Sequence, residues 1–416
     1  MAAFLLLAAG ILVGVIREQA ALVMLCCLLL VAGLSSLAWS RRSTGNLSYR
    51  RSFDPPRIFP GERTEYIVEI ENGKLLPLPW VRLDEHLPAA LTPAQAVGVM
   101  ISSDEGWQRR RTVSLGWRER LVLRQSFTAT KRGEYMAGPT DVETGDPLGF
   151  FPTHLRIPES RALLVYPRVA ALEPMLSTSR APFGIAPARP PVMEDPIRFA
   201  GIRDYRAGDP MRWVDWKATA RRMKLQTRVF APTTLNNVIV ALNVQTMAFT
   251  WQGYDVTRLE EAIGVAAALV RDALSTRQPV GLAANASGSG MEDFQVFLPP
   301  NRRPSQLEDT LAVLARLAPL PTMAFGTFLR RIAANFPYGA SLMVVTAFLD
   351  AETAEDLALL AERGHGVSLV YLGDRLPVSV PAAVHVTCMP EVAFEPILTE
   401  PGRPGVTGVT LSHHPF

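Results

Sequence analysis

The chain opens with two apolar runs. Ala2 to Ile16 carries no charge, Arg17-Glu18-Gln19 interrupts, and Ala20 to Trp39 adds twenty uncharged residues before Arg41 and Arg42 end the run. At the helical rise the second run spans roughly 30 Å, enough for a bilayer core, and the first about 22 Å. The pattern predicts a transmembrane helical hairpin over residues 1–42, contacting membrane lipid. No basic residue precedes the first run and a second follows at once, which disfavours a cleaved leader. Arg41, Arg42, Arg50 and Arg51 follow the second run. The positive-inside rule then places both ends, and the soluble domains, on the cytoplasmic side of the inner (cytoplasmic) membrane. One span behind an interfacial first helix would leave the body on the same side.

Period two takes over next. Tyr66, Val68 and Ile70 alternate with Glu65, Glu69 and Glu71, and Leu121, Leu123 and Phe127 fall in register over Arg120–Thr130. Turn pairs such as Pro60-Gly61, Asn72-Gly73, Arg132-Gly133 and Gly138-Pro139 punctuate these runs. The pattern predicts an antiparallel β-sandwich over residues 43–172. Within it, Arg109–Arg111 and Lys131-Arg132 read as solvated strand edges, with an anionic-surface patch as the alternative. Six prolines between 174 and 196 mark a linker over residues 173–197.

From residue 235 to 395 strands alternate with helices. Val238–Val244, Val280–Ala286, Leu342–Phe348, Val367–Leu372 and His385–Met389 read as strands. Helices are expected over Thr257–Arg277, Ser305–Leu317, Phe325–Phe336 and Thr353–Arg363. Thr257/Glu260 and Ser305/Glu308 stand at capping-box spacing, and Gly364 suits a left-handed stop. The expected fold is therefore multidomain α+β: a helical hairpin, a β-sandwich and a C-terminal open α/β sheet. Residues 396–416, with His413-His414, read as a flexible tail.

Composition narrows the function. A net charge of +3 on 416 residues gives no footprint for nucleic acid, and none is expected as partner. Three cysteines allow neither a disulfide framework nor a thiolate metal site, and Cys388, in an apolar strand, reads as a packing residue. The six histidines fall in no His-Glu-x-x-His arrangement, and no Gly-x-Ser-x-Gly elbow exists.

One segment is dense in chemistry, residues 198–234. It holds Arg203, Asp204, Tyr205, Gly208, Asp209, Arg212, Trp213, Asp215, Trp216, Lys217 and Arg221. Interleaved charges predict local ion pairs, and Arg, Trp and Tyr are the residues that dominate binding hot spots. The segment therefore reads as an ordered strap, as a docking surface, or as both.

The run Gly201-Ile-Arg-Asp-Tyr-Arg-Ala-Gly-Asp209, followed by Arg212-Trp-Val-Asp-Trp-Lys-Ala-Thr-Ala-Arg221, resembles the signature of the domain of unknown function 58 family, with Ala207 where Pro is usual. Lys131–Pro139, Gly145–Phe151 and Val165–Arg168 resemble further segments of that family. The resemblance implies a von Willebrand factor type A-like C-terminal domain. It also implies work beside a MoxR-type AAA+ ATPase, with transglutaminase-like and other type A domain proteins as further partners. It carries no catalytic activity and no cofactor.

Type A domains often hold Mg²⁺ through Asp-x-Ser-x-Ser after the first strand, joined by a later Thr and Asp. Here Asn243, Gln245 and Met247 occupy the first three positions, and Ala347 follows Thr346. A hard cation wants anionic oxygen, so the metal site is expected to be degenerate. The expectation is a membrane-anchored, non-enzymatic adaptor that works with the ATPase. The alternative is a metal-dependent hydrolase or an anionic-surface-binding module acting on envelope material, with Asp350 and Asp374 as the acids available at strand ends.

Overall fold

The structure is a computed structural model. It describes residues 2–93, 99–103, 106–172, 194–206, 209–232, 237–288, 295–337, 340–396 and 412–415. Most of the proline-rich linker, Gly208 and residues 397–411 of the tail lie outside the described residues. The chain divides into two compact units, Met1–Tyr166 with Ile397–Phe416, and Pro167–Pro396.

The first unit begins with two helices, α1 (Ala2–Ile16) and α2 (Ala20–Ser43). They touch through small residues. A Cβ built on Gly10 would stand 2.9 Å from Cys26 Sγ, and one on Gly14 would stand 2.8 Å from Val23 Cγ2. Of the two, α2 is long and apolar enough to cross a membrane.

Among the described residues twelve strands follow: β1 (Leu47–Asp54), β2 (Arg57–Ile58), β3 (Arg63–Asn72), β4 (Leu78–Leu87), β5 (Leu91–Pro93), β6 (Val99–Ser103), β7 (Gly106–Leu115), β8 (Glu119–Ala129), β9 (Gly133–Ala137), β10 (Thr140–Thr144), β11 (Thr153–Ile157) and β12 (Arg161–Val165). One antiparallel sheet runs β1-β3-β8, with β5 and Ser412–Pro415 also paired to β8; a second runs β11-β10-β4-β7-β6. A small third sheet joins β2, β12 and β9. Tyr66, Val68, Ile70, Leu121, Leu123 and Phe127 of the first sheet share one core with Val81, Leu83, Leu87, Leu115 and Val142 of the second. Alternation along each strand sends these residues inward.

The same alternation corrects the reading of Arg109–Arg111 as a solvated edge. Arg109 and Arg111 share the inward parity of Leu115 and are only 1% and 9% exposed. Arg109 Nε donates to Glu85 Oε2 at 2.9 Å, and Glu85 is its direct partner across β4 and β7. Tyr49 and Tyr66 donate to the other oxygen of Glu85 at 2.9 and 3.1 Å. Arg110 alone of the three points outward, and it pairs with Asp84 at 2.8 Å.

The second unit contains a two-stranded ribbon, β13 (Glu194–Asp204) with β14 (Gln226–Pro232), and between them helix α3 (Trp216–Arg222). Its main sheet has six strands. In chain order they are β15 (Val238–Leu242), β16 (Val280–Ala284), β18 (Val296–Asn301), β20 (Ser341–Thr346), β21 (Gly366–Tyr371) and β22 (Val384–Cys388). Two short strands, β17 (Ala286–Gly288) and β19 (Leu317–Pro321), pair with each other. The six-stranded sheet is ordered β18-β16-β15-β20-β21-β22, all parallel except β18. Spatial order therefore steps outward from β15 to one edge and then to the other, so the order reverses beside β15. Such a reversal opens a crevice at the carboxyl ends of the strands.

Helices α4 (Val256–Ser275), α5 (Gln306–Arg316), α6 (Phe325–Ile332) and α7 (Ala351–Glu362) connect the strands. Helices α6 and α7 pack on the face bearing Ile239, Ala241, Leu342 and Val344. The expected cap at Thr257 is displaced: Asp255 caps α4, accepting from Thr257 and Arg258 N–H at 2.9 and 3.1 Å. Ser305 stands at the start of α5 but makes no side-chain cap bond. Gly364 does take the left-handed conformation, at φ 94°. Cys388 is exposed rather than packed, because β22 is an edge strand.

Candidate functional site

The carboxyl ends of β15, β16 and β20 bring together two amides and a hydroxyl. Leu242 ends β15, and Asn243 follows, 1% exposed. Asn243 Nδ2 donates to Thr346 Oγ1 at 3.0 Å, across from the end of β20. Its Oδ1 accepts twice at 3.0 Å, from Gln245 N–H and from Asn285 Nδ2. Asn285, fully buried after β16, accepts from Val244 N–H at 2.9 Å and donates to the Met323 carbonyl at 3.3 Å. Thr346 donates in turn to the Phe348 carbonyl. The two asparagines thus spend their polar atoms on one another, on the Thr346 hydroxyl and on the surrounding backbone.

Of the positions expected to form a degenerate metal site, Asn243 sits at the centre of this network. Gln245 turns aside, and its Nε2 donates to the Met247 carbonyl at 3.0 Å. Met247 and Ala347 bring no side-chain oxygen. Asp350 is committed elsewhere: its carboxylate caps α7 through Thr353 N–H at 2.8 Å. Among the described residues, no three His, Cys, Asp or Glu side chains gather as a metal-binding group.

The loop leaving this network exposes aromatic surface. Phe249, Trp251 and Tyr254 are 57%, 79% and 40% exposed, and the first two rings stack at 5.8 Å. Large aromatic side chains left in water are the kind of anchor a protein partner buries.

The ribbon segment resolves into short-range pairs. Arg203 grips Asp209 with both terminal nitrogens, each at 2.8 Å, and the Arg206 N–H joins at 2.9 Å. These donors, Arg203 foremost, hold the Asp209 carboxyl below the usual carboxylate range. Asp215 caps α3 through Ala218 N–H at 3.0 Å and meets Arg228 Nε at 3.0 Å. The Ala218 bond, then Arg228, depress its pKa likewise. Asp204 accepts from Gln226 Nε2 at 2.6 Å, and Tyr205 N–H bonds the Leu225 carbonyl at 2.9 Å. Each of the three aspartates thus has its partners within the segment itself. Arg212 lies over the Trp213 ring at 5.5 Å, while Lys217 and Arg221 stand exposed on α3. Trp216, Met211 and Met223 are 63%, 55% and 87% exposed. Gly208 lies outside the described residues.

Arg228, Gln226 and Asn285 were not evident as members of these groups. Asn285 had one available signal: it directly follows an apolar strand, as Asn243 does.

A family model described as "Protein of unknown function DUF58" matches residues 201–389, which take in the end of β13, α3, β14 and all six strands of the main sheet. The uncharacterized protein YeaD of Bacillus subtilis (strain 168) is 23% identical over 234 residues, covering 56% of this chain and 54% of that protein. The chain thus matches about half the length of that relative. Two solved structures show a weaker likeness. The CARDB domain of a Pyrococcus furiosus protein aligns at 18% identity over 29% of this chain and 91% of that domain, with TM-score 0.19. A cohesin module from a Clostridium perfringens family 33 glycoside hydrolase aligns at 16% identity over 29% of this chain and 95% of that module, with TM-score 0.22. Scores of this size carry no argument about fold or function.

Proposed function

We propose that the chain is a DUF58-family adaptor, tethered to the inner membrane by its N-terminal helices with its soluble units in the cytoplasm. Its second unit is read as a von Willebrand factor type A-like domain that docks a MoxR-type AAA+ ATPase without performing chemistry itself. Transglutaminase-like or other type A domain proteins are the further partners this reading admits. The carrying observation is the crevice beside β15. Where a cation-dependent domain would present carboxylates, Asn243 and Asn285 close a neutral network, and the adjoining loop exposes Phe249 and Trp251. Buried amides satisfied by one another hold a shape, whereas exposed aromatic rings offer burial to a partner. The doubly wound strand order and its single antiparallel strand support the domain reading. The hairpin reading draws on the small-residue contacts between α1 and α2. A metal-dependent hydrolase draws no support from Asp350, which is occupied as a helix cap.

Affinity purification of the full chain from native membranes tests this reading. The wild type should enrich an AAA+ ATPase in a nucleotide-dependent manner, and Phe249→Ala/Trp251→Ala should lose it. Enrichment unaffected by the double substitution, or no ATPase with nucleotide present or absent, would overturn the reading.

A further inference from the structure

The β-sandwich leaves few large apolar side chains in water, and most of them stand at one end. Among its described residues, Leu75, Trp117, Leu148 and Phe150 are 69%, 72%, 61% and 67% exposed; Met136, at 49%, completes the set. The first four lie on three connections: β3 to β4, β7 to β8, and β10 to β11. Hydrogen bonds bring all three connections to the end of α2. Lys74 Nζ donates to the carbonyls of Ser43 and Gly45, the latter at 2.8 Å. Arg118 N–H donates to the Lys74 carbonyl at 3.0 Å, which ties Trp117 to the Leu75 turn. Ser40 Oγ donates to the Phe151 carbonyl at 2.6 Å and meets Thr153 Oγ1 at 2.8 Å.

The third turn reaches further along the helix. Asp146 organises it, accepting from Leu148 and Phe151 N–H at 3.1 and 2.7 Å and from the Ser36 hydroxyl. Ser36 lies one turn of α2, roughly 6 Å, inside Ser40. The Phe151 ring stacks on Phe4 of α1 at 6.3 Å between centroids. Gly149, at φ 74°, lets the turn present Leu148 and Phe150 outward on either side of it. The turn therefore stands level with the last apolar residues of α2, where hydrocarbon gives way to headgroups. Basic residues ring the same level: Arg41 and Arg42 end α2, and Lys74 and Arg118 adjoin the apolar tips.

Apolar tips with one Trp and a collar of Lys and Arg match the composition of a membrane interface. We propose that this end of the sandwich is seated in the bilayer interface, with Leu148, Phe150, Trp117 and Leu75 immersed among lipid and Lys74 and Arg118 at phosphate level. The inference rests on the reading of α2 as a membrane span. It adds that the first soluble unit is held flush against the lipid, not swung on a free tether.

The test labels single cysteines with an environment-sensitive fluorophore in the full chain, reconstituted in phosphatidylcholine–phosphatidylglycerol vesicles. Labels at Phe150→Cys and Trp117→Cys are compared with native Cys27 on α2 and with Met136→Cys, the other native cysteines being replaced by Ser. The expected result is blue-shifted emission and quenching by a shallow spin-labelled lipid at 150 and 117. Cys27 should be quenched by a deep label, and position 136 by neither. If 150 and 117 match 136 while Cys27 is quenched, the seating is wrong and the span stands. If Cys27 is also water-exposed, the span reading falls and takes this inference with it.

Discussion

Asn285 donates from Nδ2 to Asn243 Oδ1 at 3.0 Å, and its own Oδ1 receives the Val244 N–H at 2.9 Å. The pair joins the ends of β15 and β16, and Asn243 reaches on to Thr346 at the end of β20, across the point where strand order reverses. Asn285→Ala removes both bonds, and the one to the Met323 carbonyl, and leaves the buried Val244 N–H without its partner. An unmet buried polar group costs about 1–3 kcal/mol. The substitution should lower the midpoint of denaturant unfolding by that amount. Asn243→Asp should also destabilise at neutral pH, because it places a charge at a site built for an amide. Adding Mg²⁺ should not restore it.

Glu85 is fully buried beside Arg109, and Tyr49 and Tyr66 donate to it. Burial alone would push its pKa up, but Arg109 and the donors outweigh burial and hold it below the usual carboxylate range. Its folded pKa is thus below its unfolded one. The stabilising contribution is complete above the unfolded value, about 4.3, and is lost as pH falls through the folded value. Glu85→Gln leaves Arg109 buried without a counter-charge and should cost about 3–5 kcal/mol at pH 7. The variant should also flatten the acid limb of the stability profile, measured by unfolding at stepped pH.

Asp215 has two separable jobs, capping α3 and pairing with Arg228. Asp215→Ala loses the cap, worth about 0.5–2 kcal/mol, and the first amides of α3 should exchange faster with deuterium. Asp215→Asn keeps a capping oxygen and loses the charge pair. It should leave α3 exchange close to wild type, because an exposed ion pair contributes little.

The basic residues after α2 set the predicted side of the membrane. Protease added to intact spheroplasts should leave the soluble units whole, and permeabilisation should expose them to cleavage. Digestion without permeabilisation would reverse the assigned topology.

Much of the fold was legible because burial imposes a period on the strands. Tyr66, Val68 and Ile70 face the core as their alternation requires, and the apolar run at Val238 became a central parallel strand. Charge concealed the rest. Arg109 and Arg111 obey the inward parity of their strand, but three arginines in a row read as solvated until Glu85 supplies a buried counter-charge from the next strand. The antiparallel strand Val296–Asn301 was missed because Pro299-Pro300 breaks any strand pattern, a pair that a sheet edge tolerates. At the crevice, Asn243 and Thr346 stood out only against the metal motif that the family resemblance implies. Asn285 stood 42 residues from its partner, and only the pairing of β15 with β16 brings the two together.

The docking claim is tested most directly by a photo-reactive amino acid at position 251 of the full chain, irradiated in native membranes, with adducts identified by mass spectrometry. The account predicts a nucleotide-sensitive adduct with an AAA+ ATPase at 251, and none when the same group replaces Glu362 at the far end of α7. Adducts confined to lipid, or an ATPase adduct equally strong at both positions, would contradict it.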